Sequence, residues 1–336
     1  MQGQLKTLIV GCGNIAGGFD AARSAGELPL SHAGAYARHG NFELTACVDP
    51  DEATRGAYMK RWSVPRGFAS IEAALASDGR YDVISVCSPT YAHFHDVAIA
   101  LKMAPRLVFC EKPVAPSVAE TALLVESCRV AGVVLVVNYT RRWDPSVRQL
   151  REDLRRGEWG AIRSVSGVYN KGILNNGSHM IDLLHLLLGP MEVRATGVPV
   201  LDLSVDDPTI PALLVGPGNT SVHLSCGHAK DFSLFELQIV TEQGVISMED
   251  GGMYWRLRRA GASPNFSGYH SLDGGERRPG GYRAATLSAV TEIFTTVIQG
   301  GPISSSGENA LAAQRVCETI RGMAGFPVRH AVHDSD

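Results

Sequence analysis

A lysine placed where a buried strand ends can keep its charge at the rim of a site or lose it to burial, and either fate equips it for proton chemistry. Lys112 stands in such a place. It is the centre of Glu111-Lys112-Pro113, directly after the apolar run Leu107-Val108-Phe109-Cys110. Well upstream, a glycine-rich turn, Gly11-Cys12-Gly13-Asn14-Ile15-Ala16, follows another apolar run, Leu5–Val10. Downstream lies a histidine segment, Asn175 to Asp182. Alone, each piece says little; their order gives them weight.

These residues need elements to hold them. Up to Asn138 the chain alternates short apolar runs with helical patterns. The runs are Leu5–Val10, Leu44–Val48, Val83–Cys87, Leu107–Cys110 and Val133–Val137. Continuous runs rich in Val, Ile and Leu read as strands covered on both faces. Between them lie helical stretches at Ala33–His39, Ala53–Arg61, Ile71–Ala76, Phe94–Met103 and Val118–Ala131. This alternation predicts an α/β fold with a doubly wound parallel sheet. After a helix at Pro145–Arg156 the texture changes to longer runs, Ile162–Asn170, Thr220–His228, Ser233–Thr241, Gly244–Met248 and Met253–Arg258. Several of these alternate in polarity, which predicts a mostly antiparallel sheet with one open face. A helix at Ser178–Leu188 interrupts the series, Ala260–Gly281 reads as a loop, and helices at Arg283–Gln299 and Glu308–Met323 close the chain. The expected division is residues 1–140 and 141–336, with the closing helices packing back on the first domain.

The bulk composition narrows the classes of function. The 336 residues are 45% hydrophobic and 19% charged, with a net charge of −3, and are long enough for two cored domains. No basic stripe calls for nucleic acid. The opening residues lack the pattern of a signal peptide, and no apolar stretch nears the ~20 residues that span a bilayer. The seven cysteines form no C-x-x-C pair and read as buried small residues of a reduced cytosol, so a cytoplasmic location is expected and no metal site.

Gly11-x-Gly13-x-x-Ala16 after a strand is the pattern that lets a backbone turn approach a pyrophosphate while a new helix aims its N–H groups at it. Asp49 ends the next run, where a carboxylate can accept hydrogen bonds from both ribose hydroxyls of NAD and repel the 2′-phosphate of NADP. NAD is favoured; Arg55, close in sequence, keeps NADP open. Asp49 lies 36 residues after Gly13, against the usual ~20, and the excess is Gly18–Ser31, an inserted loop or a flap near the cofactor or substrate. Ser88-Pro89-Thr90 ends the third run and is placed to line the cofactor cleft, with His93 one turn on as a nicotinamide contact and His95 structural.

In the order Gly11-Cys12-Gly13-Asn14-Ile15, Ser88-Pro89-Thr90-x-x-His93, Cys110-Glu111-Lys112-Pro113, Asn138-Tyr139-Thr140-Arg141-Arg142-Trp143-Asp144-Pro145 and Gly177-Ser178-His179-x-x-Asp182, the chain resembles the Gfo/Idh/MocA oxidoreductases over essentially its whole length. The resemblance implies an N-terminal Rossmann domain and a C-terminal α/β domain. The open sheet face of the latter would join copies into a homodimer or homotetramer. It implies substrates such as sugars, polyols and nucleotide-linked sugars. It places Lys112 beside the nicotinamide and the substrate oxygen, has Glu111 help hold the cofactor or the lysine, gives Asn138 to the cofactor side, allows a cis Lys112-Pro113 bond, and aligns His179 with a catalytic histidine.

Other residues add to that frame. Asp182, three residues after His179, shares its helix face and could orient the imidazole or bind a hydroxyl. Arg141 and Trp143 offer a fork for an anion and a platform for a sugar ring. Lys171 could meet an acidic group on the substrate. One departure stands out: many relatives carry an aspartate four residues before the histidine, where this chain has Asn175. An amide orients but takes no proton at neutral pH. Proton transfer then rests on Lys112 and His179, or the protein binds dinucleotide and sugar without turning over. A reductase of a non-sugar carbonyl or imine is the third option.

Overall fold

The computed structural model describes residues 3–24 and 26–327, which divide into two compact units. The first draws on the chain up to Trp143 and on Arg283–Leu311; the second on Asp144–Tyr282 and residues 312–327.

In the first unit, β1 (Leu5–Val10), β2 (Phe42–Val48), β3 (Arg66–Phe68), β4 (Val83–Val86), β5 (Leu107–Cys110) and β6 (Val134–Val137) form one sheet. Its order is β3-β2-β1-β4-β5-β6 and every pairing is parallel. That order reverses direction at β1 and β4, the place where open α/β sheets leave a crevice. Every residue of β4 and β5 is buried, as strands covered on both faces must be. The covering helices are α1 (His32–His39), α2 (Glu52–Trp62), α3 (Ile71–Ala76), α4 (Thr90–Lys102) and α5 (Val118–Ala131). Their starts are set by side chains: Ser31, Asp51 and Ser70 cap by accepting a backbone N–H, and Ser117 with Glu120 completes a capping box. The late helix Ala285–Gln299 packs on α1 and supplies Ala289, Val290 and Ile293 to the core of this unit.

In the second unit α6 (Pro145–Arg155) leads into a nine-stranded sheet built from β7 (Ile162–Tyr169), β8 (Glu192–Thr196), β9 (Ala212–Gly216), β10 (Thr220–Cys226), β11 (Phe235–Thr241), β12 (Gly244–Glu249), β13 (Tyr254–Ala262), β14 (His270–Leu272) and β15 (Glu276–Pro279). The path runs β14-β13-β12-β11-β7-β10-β9-β8, with β15 also on β13. The β7–β10 pair is parallel and the other pairs are antiparallel. The helix α7 (Ser178–Leu188) lies on the inner face, where a Cβ on Gly167 of β7 would meet Leu224 Cδ2 at 2.9 Å and Met180 Sδ at 3.2 Å. The opposite face presents Ser166, Ser225, Gln238 and Ser247 and is polar. The late helix is α8 (Ala285–Gln299), followed by α9 (Gly307–Met323). Among the described residues no helix is long and apolar enough to cross a membrane.

Three expectations need correction. Ala260–Gly281 is not one loop: the end of β13, then β14 and β15, run through it, held by backbone pairing with little apolar patterning to announce them. β3, β8 and β9 are additional strands. β3 is only three residues long and β8 is largely exposed, so their sequences carry little strand signal, whereas Ala212-Leu213-Leu214-Val215 in β9 carries an apolar run that alternates in burial. And no α-helix starts at the glycine turn. Gly17 and Gly18 both donate to Gly13 O and Phe19 donates to Asn14 O, a wide turn that ends in a 3-10 turn at Gly18–Asp20. The helix α1 begins only at His32.

Candidate active site

Hydrogen bonds of the sheet continue past the strand ends and align one edge of the first unit. Gly11 N donates to Val48 O, Cys87 N to Val10 O, Glu111 N to Val86 O and Asn138 N to Cys110 O. The glycine turn, Asp49, Ser88, Glu111 and Asn138 therefore share the carboxyl edge of the sheet, as their positions in the sequence predicted.

The glycine turn divides its labour. Gly11 has φ +86°, and a Cβ there would fall 2.5 Å from Ser88 N, so this position serves the packing of two strand ends. A Cβ on Gly13 would meet nothing within 4 Å, so this position faces open space. Ala16 is fully buried. His32 N and Ala33 N donate to Ile15 O and Ala16 O, which ties the delayed α1 back to the turn. Asp49 Oδ2 accepts from Cys12 N at 2.8 Å and Oδ1 from Asp51 N at 3.0 Å, which fixes the carboxylate beside the turn with lone pairs to spare. Arg55 Nη1 donates to Asp49 O at 2.5 Å, so a cation also lies at this corner. An open glycine, a fixed carboxylate and the start of α4 at Thr90, whose N-cap Pro89 supplies no side-chain cap, fit a dinucleotide.

Ser88 is held at this edge by a carboxylate, whereas His93 stands differently from expectation. Ser88 Oγ donates to Asp96 at 2.5 Å, a carboxyl that burial pushes above its usual value although Ser88 lowers it. His93 is buried, with Nδ1 2.8 Å from Pro113 O and Nε2 2.7 Å from Ser88 O. Both nitrogens face backbone carbonyls, to one of which the ring N–H donates, so His93 joins the two strand ends instead of facing a nicotinamide. His95, on the exposed side of α4, pairs with Glu72.

Lys112 follows Glu111 at the end of β5, and the Lys112-Pro113 bond is cis. Glu111 Oε1 receives Asn138 Nδ2 at 2.7 Å and His32 Nε2 at 3.0 Å. Burial alone would push this carboxyl up, but His32, Asn138 and the Lys112 charge outweigh it and hold it below the usual value. His32, one residue before the helical stretch expected at Ala33–His39, is a member of this cluster, and no local pattern marks it. The Gly18–Ser31 insertion has a structural use here. Buried Asp20 accepts from Leu30 N, Ser31 N and Ser31 Oγ, which pins the loop's end and the residue before His32.

Trp143 is fully buried; its indole N–H donates to Glu292 at 2.9 Å and its ring meets Phe109 edge-on. Its faces are core surface, so the sugar-platform expectation is corrected. Arg141 is only 8% exposed.

The second unit holds the histidine segment. Lys171 (φ +68°) and Gly172 (φ +86°) turn the chain sharply into a π-type turn, Gly172–Gly177, that runs into α7. π-turns recur at functional positions. Two carboxylates, absent from the expectations, fix this turn. Asp207 accepts from Leu174 N at 2.9 Å and Asn175 N at 3.0 Å. Asp202 accepts from Lys171 N, Leu203 N, Ala229 N and Thr209 Oγ1. His179 is half-buried on the first turn of α7, and Asp182, one turn on, is 1% exposed. Asn175 sits in the π-turn with its N–H spent on Asp207 and its carbonyl taking Ser178 Oγ.

Burial pushes the Asp202 carboxyl up, but these four donors hold it below the usual value. A depressed carboxyl stabilises in full above its unfolded value, about pH 3.9, and that contribution is lost as pH falls further. Asp202→Asn should melt below the wild type at pH 7, with the gap narrowing as pH falls below about 3.9. A gap independent of pH in thermal denaturation would show that the charge is not what Asp202 contributes. Among the described residues no cluster of three metal-ligating side chains occurs.

Residues 5–139 match a family model described as an oxidoreductase family with an NAD-binding Rossmann fold, Gfo/Idh/MocA. The uncharacterized oxidoreductase YrbE of Bacillus subtilis is 28% identical over 183 residues, covering 53% of this chain and 49% of YrbE. The match thus spans about half of that relative's length. D-glucoside 3-dehydrogenase of Escherichia coli is 24% identical over 265 residues, covering 75% of this chain and 69% of the relative. Among solved structures, the WlbA dehydrogenase of Bordetella pertussis, in complex with NADH and UDP-GlcNAcA, superposes with a TM-score of 0.76 at 19% identity, covering 96% of each chain, which establishes a shared fold.

Proposed function

We propose that this chain, whose residues 5–139 match the Gfo/Idh/MocA oxidoreductase family with its NAD-binding Rossmann fold, is a member of that family and moves a hydride between a nicotinamide cofactor and a hydroxyl or keto carbon of a sugar, polyol or nucleotide-linked sugar. One observation carries the reading: Lys112 and the donor-held Glu111 stand on the same sheet edge as the open Gly13 and the fixed Asp49. Gly13, Asp49 and Asn138 would hold the dinucleotide, which supplies the hydride donor or acceptor at its C4. Lys112 Nζ donates a hydrogen bond to the substrate oxygen. His179 takes the hydroxyl proton during oxidation and returns it during reduction. Arg141 and Lys171 are the cations offered to an acidic substrate group, and Asn175 and Asp182 offer hydrogen bonds to hydroxyls.

D-glucoside 3-dehydrogenase and the UDP-GlcNAcA complex of WlbA support the substrate class. The polar face of the second sheet is proposed as the contact between copies, giving a dimer or tetramer of the 35.9 kDa chain. The experiment is nicotinamide absorbance at 340 nm with NAD and NADP over a panel of D-glucosides, inositols and UDP-sugars. NAD-linked turnover on one of them is expected, with NADH bound more tightly than NADPH. Asn175 favours a second reading, a sensor that binds both ligands; it would show tight NADH binding and no absorbance change on any member.

A further inference from the structure

We propose that His32 is a positioning residue for Lys112, acting through Glu111. The inference rests on the role given to Lys112 above and adds a residue to it. His32 is fully buried, and its ring stacks on Phe109 of β5 with centroids 4.3 Å apart and planes 23° apart. Its Nδ1 is buried and has no partner among the described residues. Among them the ring's one hydrogen bond is the one from Nε2 to Glu111 Oε1, at 3.0 Å. A histidine held by stacking and committed by a single nitrogen to a carboxylate is built to serve that carboxylate.

Glu111 needs the service. Its side chain is 14% exposed, and a carboxylate at that depth is costly unless donors surround it. Asn138 brings one donor from the end of β6, and His32 brings the other from α1. The other ionisable groups near Glu111 are Lys112 and the buried thiols Cys87 and Cys110, which burial keeps protonated. Lys112 is the next residue and the cation whose charge favours ionised Glu111, and the attraction between the two charges is mutual. The placement of His32 is itself secured: its N–H donates to Ile15 O, and Asp20 grips Ser31 before it. One chain of contacts therefore links the glycine turn and its inserted loop to the lysine.

The test compares two variants of His32 with the wild type. His32→Phe keeps the stack on Phe109 and deletes the donor; His32→Gln keeps an N–H for Oε1. Without the donor, Glu111 should ionise about one pH unit or more higher. Thermal midpoints between pH 4.5 and 7.5 need no substrate. The wild-type advantage over His32→Phe should widen by about 3 °C toward pH 7.5, because Glu111 is then charged in a site that no longer supports it. His32→Gln should run parallel to the wild type. In NAD-linked turnover of the best panel substrate, the acid limb of kcat/KM should move up by about one pH unit in His32→Phe and stay in place in His32→Gln. NADH affinity should change less than about threefold.

A stability gap independent of pH overturns the pairing of His32 with Glu111. A gap that widens beside an unmoved acid limb overturns the positioning of Lys112. Lys112→Met, assayed in parallel, separates the premise from the inference: full turnover in that variant removes the role of Lys112, while the melting series still decides whether His32 holds Glu111.

Discussion

Lys112→Met should lower kcat about a thousandfold while NADH still binds within about threefold of the wild type. The magnitude is that of a positioned proton-transfer group, 10²–10⁴-fold. Affinity should survive because the groups proposed to hold the dinucleotide are separate: Gly13 faces open space, and Asp49 is anchored by Cys12 and Asp51. Methionine keeps the length of the side chain and removes the charge, so Glu111 loses its cation but keeps His32 and Asn138. His179→Ala should cost about a hundredfold or more, and the double variant should be little worse than Lys112→Met, since groups that act as a unit are not additive. Stopped-flow or steady-state absorbance at 340 nm reads kcat, and NADH fluorescence reads affinity. Losses that multiply in the double variant would mean the two residues act independently.

Gly11→Ala and Gly13→Ala should fail in opposite ways. At Gly11 the backbone has φ +86°, and a new Cβ would lie 2.5 Å from Ser88 N and 2.7 Å from Cys87 C, atoms that cannot rotate aside. Strain of about 1–3 kcal/mol for the left-handed conformation, with a backbone overlap added, puts the loss at about 3 kcal/mol or more. The thermal midpoint should then drop by several degrees even without cofactor. At Gly13 a Cβ touches nothing within 4 Å. Gly13→Ala should therefore melt with the wild type and bind NADH about tenfold or more weakly, because the methyl group stands where a pyrophosphate approaches. If Gly13→Ala binds NADH normally, the open space before it is not the cofactor's.

Much of the first unit was legible because parallel strands buried on both faces spell themselves out. Leu5–Val10 and Leu107–Cys110 appear as strands with the bounds their apolar runs predicted, and Val118–Ala131 as a helix. The same signal placed Asp49, Glu111 and Lys112 at strand ends, which is where chemistry collects in such sheets. What stayed hidden was set by contacts distant in sequence. His32 reaches Glu111 across 79 positions, and Asp207 reaches Asn175 across 32. Neither contact has a local pattern. Trp143 shows the reverse error: a residue type suited to a sugar ring promises a platform, but Glu292, 149 positions away, gives its N–H a buried partner. β14 and β15 were missed because edge strands paired mainly through backbone need no apolar alternation.

The central claim is that this chain transfers a hydride to or from a substrate carbon. It is tested most directly by following an isotope: NADH carrying deuterium on the transferred face of C4 is incubated with the keto form of the best panel substrate, and the product is weighed and mapped by NMR. One deuterium on the reduced carbon, absent with Lys112→Met, is the predicted result. Tight NADH binding with no deuterium in any product would contradict the account and leave a dinucleotide-binding protein without the chemistry.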